Sequence, residues 1–347
     1  MLVGPHPHSL SLGGAASPRF PPAPRSGRGR FPMLVGADVF QGAPTGPDPE
    51  STRTVKNAAG AYYNSPPMRD VAIIGAGDLG GALAHVLARR SVAREIRLID
   101  EAGRVAAGKA LDITQAAPIE GFATRLSGST DVSTAAGASV FVIADRFGGS
   151  EWQGEDGLLL LKWVLEAGAG AVILSAGAWQ RELIERGVRE LHVARGRLFG
   201  SAPEALAGAA RAIVALETNG SPRDVALMVL GVPPSQIVIP WEDATIGGFA
   251  MTRVLDEPSR RRINGRIAAL WPPGPYALAS AAATVIEALF GHSRRLATCF
   301  VAPDDSAGTR TRTAALPVRL GPAGIVDVVL PSLSVHERVL LDTAMLL

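Results

Sequence analysis

The sequence contains a single cysteine, Cys299, among 347 residues. One thiol cannot build a disulfide framework or a cysteine-based zinc site. Charge is sparse: 19% of residues are Asp, Glu, Lys or Arg, and the net charge is +2. Residues 1–67 carry six Lys/Arg and three Asp/Glu, which leaves the other 280 residues at −1. A near-neutral body is a poor electrostatic partner for nucleic acid. No apolar run approaches the roughly 18 residues of a membrane span, and no apolar stretch of the kind found in secretory signals follows the early positive charge. No membrane association is expected, and the missing export signals make the cytoplasm the expected location. Lysine is nearly absent too, with Lys56, Lys109 and Lys162 against 31 arginines, which reads as codon bias. What the chain does have is 47% apolar residues, ample for a core, and a length that suits about two domains of roughly 150 residues each.

The first 67 residues hold 12 of the 26 prolines and 9 of the 39 glycines. They show neither helical nor strand periodicity, and runs such as PRFPPAPRSGRGRFP cannot bury a core. A disordered tail or an over-long start is expected, with Met68 as a natural beginning. No acidic residue precedes Asp38, as in a transit peptide, but the Pro and Gly density opposes the amphipathic helix such a peptide needs.

The body opens with VAII (71–74), a short apolar run suited to a buried parallel strand. GAGDLG follows, and a helical pattern then places Leu79, Leu83, Val86 and Leu87 on one face. A second strand, EIRLI (95–99), ends at Asp100, 20 residues past the third glycine. Gly75 permits the tight turn, Gly77 lets backbone approach a pyrophosphate, and Gly80 lets helix and strand pack closely. The helix N-terminus, with Ala76, Asp78 and Leu79 around it, offers unpaired N–H groups to phosphates. Asp100 can accept ribose hydroxyls and would repel a 2′-phosphate, so NAD is favoured over NADP. Asp78 supports a helix N-terminus yet puts negative charge beside the pyrophosphate. The competing reading is a glycine turn that has lost its nucleotide.

Strand and helix patterns then alternate: helix 104–115, strand 138–145, helix 157–167, strand 171–176 and a short strand 197–201. This predicts an α/β fold, a Rossmann doubly wound parallel sheet with right-handed crossovers. Ser201 is positioned to cap a helix that carries Leu206, Ala210, Ile213 and Val214 and stops at Asn219-Gly220. A strand at 225–231, helices near 244–254, 257–271 and 276–290, strands at 295–301, 315–320 and 325–330, and a helix from Ser334 complete the expected elements. The expected organisation is a tail (1–67), an NAD-binding Rossmann domain (68–205) and a mixed α/β C-terminal domain (206–347).

Residues 71–147 resemble the NAD-dependent malate/lactate dehydrogenase family, especially its lactate-dehydrogenase-like bacterial malate dehydrogenases. The resemblance rests on IIGAGDLGGALAHVLA, IRLID, GKALDI with PIEGF (108–122), and LSGSTDVSTAAGASVFVIA (126–144). It resumes at SPRDVALMVLG, ATIGG, YALASAAATVIEAL and GPAGIVDVVLPSLSVHER, and covers nearly all of 68–347. It implies a Rossmann domain, a C-terminal substrate domain, a homo-oligomer, NAD as cofactor and a small 2-hydroxy or 2-oxo acid as the partner of active members.

The family's chemistry needs a His base, a carboxylate that orients it, a guanidinium that clamps the substrate carboxylate and a second that polarises the carbonyl. By the resemblance, the histidine's place falls on Pro233, its orienting Asp on Leu206 and the neighbouring Arg on Ala209. The two loop arginines fall on Gly148 and Gly154, and the Asn that touches the nicotinamide falls on Gly177. Arg146 lies two residues from a clamp position, roughly 6–7 Å along extended chain. His85, His192, His292 and His336 read as structural or exposed, and His6 and His8 lie in the tail. Glu242-Asp243 is the one acidic pair near the expected pocket, and reads alternatively as a cap for a following helix. Asp304-Asp305 reads as a turn and Cys299 as a small core residue. Two readings stand. One is an NAD(H)-binding, degenerate member without efficient 2-hydroxy acid dehydrogenase activity, acting alone or with an active homologue; its catalytic residues are unknown. The other is an active oxidoreductase rebuilt around Arg146 or Glu242-Asp243.

Overall fold

A computed structural model describes residues 69–304 and 312–346, so the tail, Met68 and Asp305 lie outside the described residues. Short runs rich in Val, Ile, Leu and Phe become strands buried on both faces, and amphipathic runs become the crossover helices. The first half runs β1 (Asp70–Ile74), α1 (Asp78–Arg89), β2 (Glu95–Ile99), α2 (Gly103–Glu120), β3 (Arg125–Ser129), β4 (Val140–Ile143), α3 (Gly154–Ala167), β5 (Val172–Ser175), α4 (Arg181–Glu190), β6 (Leu198–Gly200) and α5 (Ala202–Thr218). The second runs β7 (Val225–Ala226), β8 (Leu230–Val232), β9 (Gln236–Val238), β10 (Thr245–Ile246), β11 (Phe249–Ala250), α6 (Met251–Val254), α7 (Glu257–Ala268), α8 (Pro275–Leu289), β12 (Ala297–Val301), β13 (Ala314–Gly321), β14 (Gly324–Val328) and α9 (Val335–Met345).

The large sheet has the order β3-β2-β1-β4-β5-β6-β12-β13-β8-β9, with β14 beside β13. Pairings from β3 to β6 are parallel, and β12 joins β6 antiparallel. The fold is therefore a doubly wound parallel sheet continued by mixed α/β structure. Strand order reverses between β1 and β4, and ligands of such sheets bind outside the strand C-termini at that point. Apolar packing forms two cores. One gathers β1–β6 and also takes in α8, β12 and β13; the other spans Leu206 to Ile267. No helix among the described residues is long and apolar enough to cross a membrane.

Several elements depart from the sequence pattern. The helix expected at 104–115 continues to Glu120, past Pro118, and stops at the left-handed Gly121. The run at 225–231 breaks into β7 and β8, which belong to different sheets; a continuous apolar run carries no mark of such a break. At 244–254 only Met251–Val254 is helical. Gly247 and Gly248 both take positive φ (56° and 85°), and the chain folds into the hairpin β10–β11, as a two-residue left-handed turn requires. Helix α4 was hidden by its polarity: it buries only Leu183, Ile184 and Gly187 and is laced by Arg186–Glu190 and Arg189–Glu185 pairs. Ser201 occupies the N-cap position of α5, but its hydroxyl makes no cap bond and is buried without a partner. Asn219 ends α5 in the left-handed conformation, and Ser334 with Glu337 forms a capping box at α9.

Candidate functional site

The glycine turn sits at the switch point. Gly75 has φ of 111°, and a Cβ there would lie 2.3 Å from the Asp145 carbonyl oxygen. A Cβ on Gly80 would lie 2.0 Å from the Gly75 carbonyl oxygen, so the start of α1 is pressed onto the turn. Asp78 is exposed in the first turn of α1, whereas Leu79 is buried in the core. Lys109 Nζ donates to the Gly77 carbonyl at 2.6 Å and ties α2 to the turn. Turn, helix N-terminus and the acid closing β2 fit a dinucleotide framework.

Asp100 stands just past the end of β2, as expected, and is engaged by backbone. Its Oδ2 accepts Ala76 N–H at 2.7 Å and Phe147 N–H at 3.0 Å, and its Oδ1 accepts Ala102 N–H at 2.8 Å. The residue is 5% exposed. It therefore organises the backbone where three segments meet.

The loop after β4 brings two carboxylates that the sequence reading passed over. Asp145 accepts the N–H groups of Leu79 (3.2 Å) and Gly80 (3.0 Å) at the start of α1. Its carboxylate lies 2.3 Å from where a Gly77 Cβ would stand. Glu151 pairs with Asp145 in an isolated antiparallel bridge and accepts N–H groups of Ala178 (2.8 Å) and Trp179 (2.7 Å) beyond β5. A Cβ on Gly177 would meet the Glu151 carboxylate at 2.2 Å. The signal available in sequence was positional: an acid stands two residues past the buried strand VFVI at the sheet's C-terminal edge, where ligands of this architecture bind.

Burial pushes the Glu151 carboxyl above the usual carboxylate range; the N–H bonds from Trp179 and Ala178 oppose it, and the nearby Asp145 charge adds to it. A carboxyl with a raised folded-state value binds its proton more tightly folded than unfolded. Stability from this group is thus present at low pH and is lost as pH rises from the ordinary carboxylate value through the folded one. Denaturant unfolding at pH values rising from the ordinary carboxylate value of ~4 is expected to show that decline, and Glu151→Gln is expected to flatten it. An unchanged slope in the variant would assign the decline elsewhere.

Arg146 is engaged within its own loop. Its guanidinium stacks 4.3 Å from the Trp152 ring centroid and lies 3.8 Å from Asp156. Pro233, just past β8, lines a cavity of about 440 Å³ with Trp179, Trp271, Phe300, Arg181 and Arg312. Trp271 packs edge-on against both other aromatics. Arg181 is held by the Thr313 carbonyl and Glu185. These two arginines were not singled out in the sequence. Among the described residues no histidine lines this cavity. Leu206 is fully buried in the second core and Ala209 half-buried on α5, while Gly148 and Gly154 take positive φ.

Glu242 and Asp243 do not converge on this cavity. They form a turn before β10 rather than a helix cap, and line two different clefts, Glu242 with Arg260 and Asp243 with Arg211 and Arg295. His85 pairs with Glu120, His292 with Arg69, His192 is exposed with φ of 54°, and His336 begins α9. His6 and His8 lie outside the described residues. Cys299 is fully buried, and burial holds its thiol well above the ordinary range. Among the described residues no group of His, Cys, Asp and Glu could hold a metal ion.

The family model described as lactate/malate dehydrogenase, NAD binding domain, matches residues 69–154. Malate dehydrogenase of Salinibacter ruber is 26% identical over 291 residues, 79% of this chain and 93% of that protein. Malate dehydrogenase of Thioalkalivibrio sulfidiphilus is 29% identical over 289 residues, 78% and 94% of the two chains. The solved Salinibacter ruber malate dehydrogenase superposes with a TM-score of 0.70 at 25% identity, covering 79% of this chain and 93% of that one. A lactate dehydrogenase from Cryptosporidium parvum, complexed with lactic acid and nicotinamide adenine dinucleotide, shares the fold with a TM-score of 0.72 at 18% identity, covering 80% and 94%.

Proposed function

We propose that the chain is a degenerate member of the malate/lactate dehydrogenase family that holds NAD(H) without efficient 2-hydroxy acid dehydrogenase activity. Its cofactor is NAD, which when bound supplies hydride transfer at the nicotinamide. In this reading residues 68–205 hold the dinucleotide through Gly75, Ala76, Gly77, Asp78, Leu79, Gly80 and Asp100, and residues 206–347 form the former substrate part. The N–H groups of Leu79 and Gly80, which Asp145 holds in this structure, would face the pyrophosphate, and Asp100 anchors the turn.

The observation that carries the reading is Pro233. Where the resemblance puts the proton-taking imidazole, a proline ring lines the cavity, and a proline ring cannot accept a proton. Leu206 and Ala209 cannot orient a base or bind a carboxylate. Losing base, orienter and clamps together removes most of an enzyme's acceleration of ~10⁶-fold or more. The exposed Leu111, Ile119 and Tyr276 support a homo-oligomer or pairing with an active homologue.

One observation favours the active reading: Arg181 and Arg312 line the Pro233 cavity, and guanidinium groups suit a 2-oxo acid's carboxylate. An NADH titration followed by a 2-oxo acid panel separates the two. We expect NADH to bind and no 2-oxo acid to accelerate its oxidation. Substrate-dependent oxidation that disappears in Arg312→Met would establish the active reading instead.

A further inference from the structure

The loop from Asp145 to Glu151 lies across the whole crevice that the preceding reading assigns to NAD(H). Asp145 holds the N–H groups of Leu79 and Gly80 at the start of α1. Phe147 donates its own N–H to Asp100, the acid closing β2. Glu151 holds the N–H groups of Ala178 and Trp179 past β5. The ends of β2 and β1 on one side of β4, and of β5 on the other, are thus engaged by one short segment.

We propose that this segment is a built-in anionic occupant of the dinucleotide crevice, and that NAD(H) enters only by displacing it. The inference rests on the NAD(H) reading and concerns how that site is regulated. An N–H group directed at the Asp145 carboxylate is not available to a pyrophosphate, and two anions at one helix start repel each other strongly at short range. Occupant and ligand therefore exclude one another. The Gly77 position shows the overlap directly: the carboxylate fills the space that the missing side chain leaves for a close-approaching ligand.

The segment is also built to leave. Phe147 through Ser150 are exposed, with the Phe147 side chain 52% exposed, so release surrenders polar contacts and little apolar burial. Gly148 and Gly154 take positive φ on either side of the buried Trp152, which anchors the far end. In such an equilibrium the apparent dissociation constant is the intrinsic one divided by the open fraction. Opening the crevice permanently tightens binding by the reciprocal of that fraction.

The test is NADH affinity by calorimetry on the full chain, for wild type, Asp145→Ala and Asp145→Asn. Alanine removes the occupying carboxylate; asparagine removes its charge and keeps an acceptor that sustains the fold. Glu120→Gln, at the end of α2 where the carboxylate pairs with His85, serves as control. We expect Asp145→Ala to bind NADH at least fivefold more tightly than wild type, with Asp145→Asn between them and the control unchanged. Hydrogen exchange of wild type with NADH is expected to deprotect Phe147 while Leu79 and Gly80 stay protected. A gain below fivefold, or weaker binding, in folded Asp145→Ala overturns the displacement proposal and leaves the NAD(H) reading standing. Should the alanine variant fail to fold, an asparagine variant no tighter than wild type overturns it equally. Absence of NADH binding to wild type and to both Asp145 variants overturns the NAD(H) reading itself, and the proposal falls with it.

Discussion

Asp100→Ala is expected to lose about 3–5 kcal/mol of unfolding free energy. The carboxylate accepts three backbone N–H groups from Ala76, Ala102 and Phe147. Each hydrogen bond to a charged group contributes roughly 1.5–3 kcal/mol, and a buried donor left without an acceptor carries its own desolvation cost. The simple sum is discounted because water reaches part of the vacated space. The residue is 5% exposed, so replacement partners in the protein are few. Urea unfolding at unchanged slope measures the loss as a lower midpoint. Asp100→Asn keeps one carbonyl acceptor and is expected to lose about half as much. A loss below about 1 kcal/mol for alanine would mean that these bonds contribute little.

The second large effect separates two glycines that look alike in GAGDLG. Gly80→Ala drives a Cβ to 2.0 Å from the Gly75 carbonyl oxygen and 2.9 Å from its carbon. That backbone is itself fixed, since Gly75 N–H donates to Ile99 O at 2.7 Å. With rigid atoms on both sides, the cost lies at the upper end of overpacking, about 3 kcal/mol. In Gly77→Ala the nearest atoms to the new Cβ are those of the Asp145 carboxylate, the far end of a side chain that rotates away. Its cost is the two part-buried N–H bonds Asp145 gives up, discounted because water replaces them at the open crevice, about 1–2 kcal/mol. Thermal unfolding of both variants checks the order, and equal costs would mean the α1 start relaxes freely.

The Rossmann half was legible because its strands are buried on both faces and its glycines serve fixed backbone needs. VAII, EIRLI and VFVI lie where the sequence places them, and so does Asp100. The departures have physical causes. At ATIGG, two glycines in left-handed conformation made a hairpin out of residues whose apolar spacing suited a helix. Helix α4 is polar on average and was passed over for that reason, although Leu183, Ile184 and Gly187 do fall on one buried face at helical spacing. Asp145 and Glu151 escaped because their meaning depends on a loop folding back over the sheet edge. Arg181 and Arg312 are 131 positions apart, and only the antiparallel return of β12 and β13 brings them to one cavity.

The way β12 closes the sheet has a consequence for synthesis on the ribosome. The outer edge of β6 is completed by Phe300 and Val301 pairing with Gly200 and Phe199, residues translated about a hundred codons later. Until they emerge, the nascent half carries an open strand edge and an uncovered apolar flank, the kind of surface that chaperones hold and that self-associates when they do not. A stop codon between α7 and α8 would leave that edge permanently bare, so shortened products should be cleared or aggregate rather than persist as a free nucleotide-binding half.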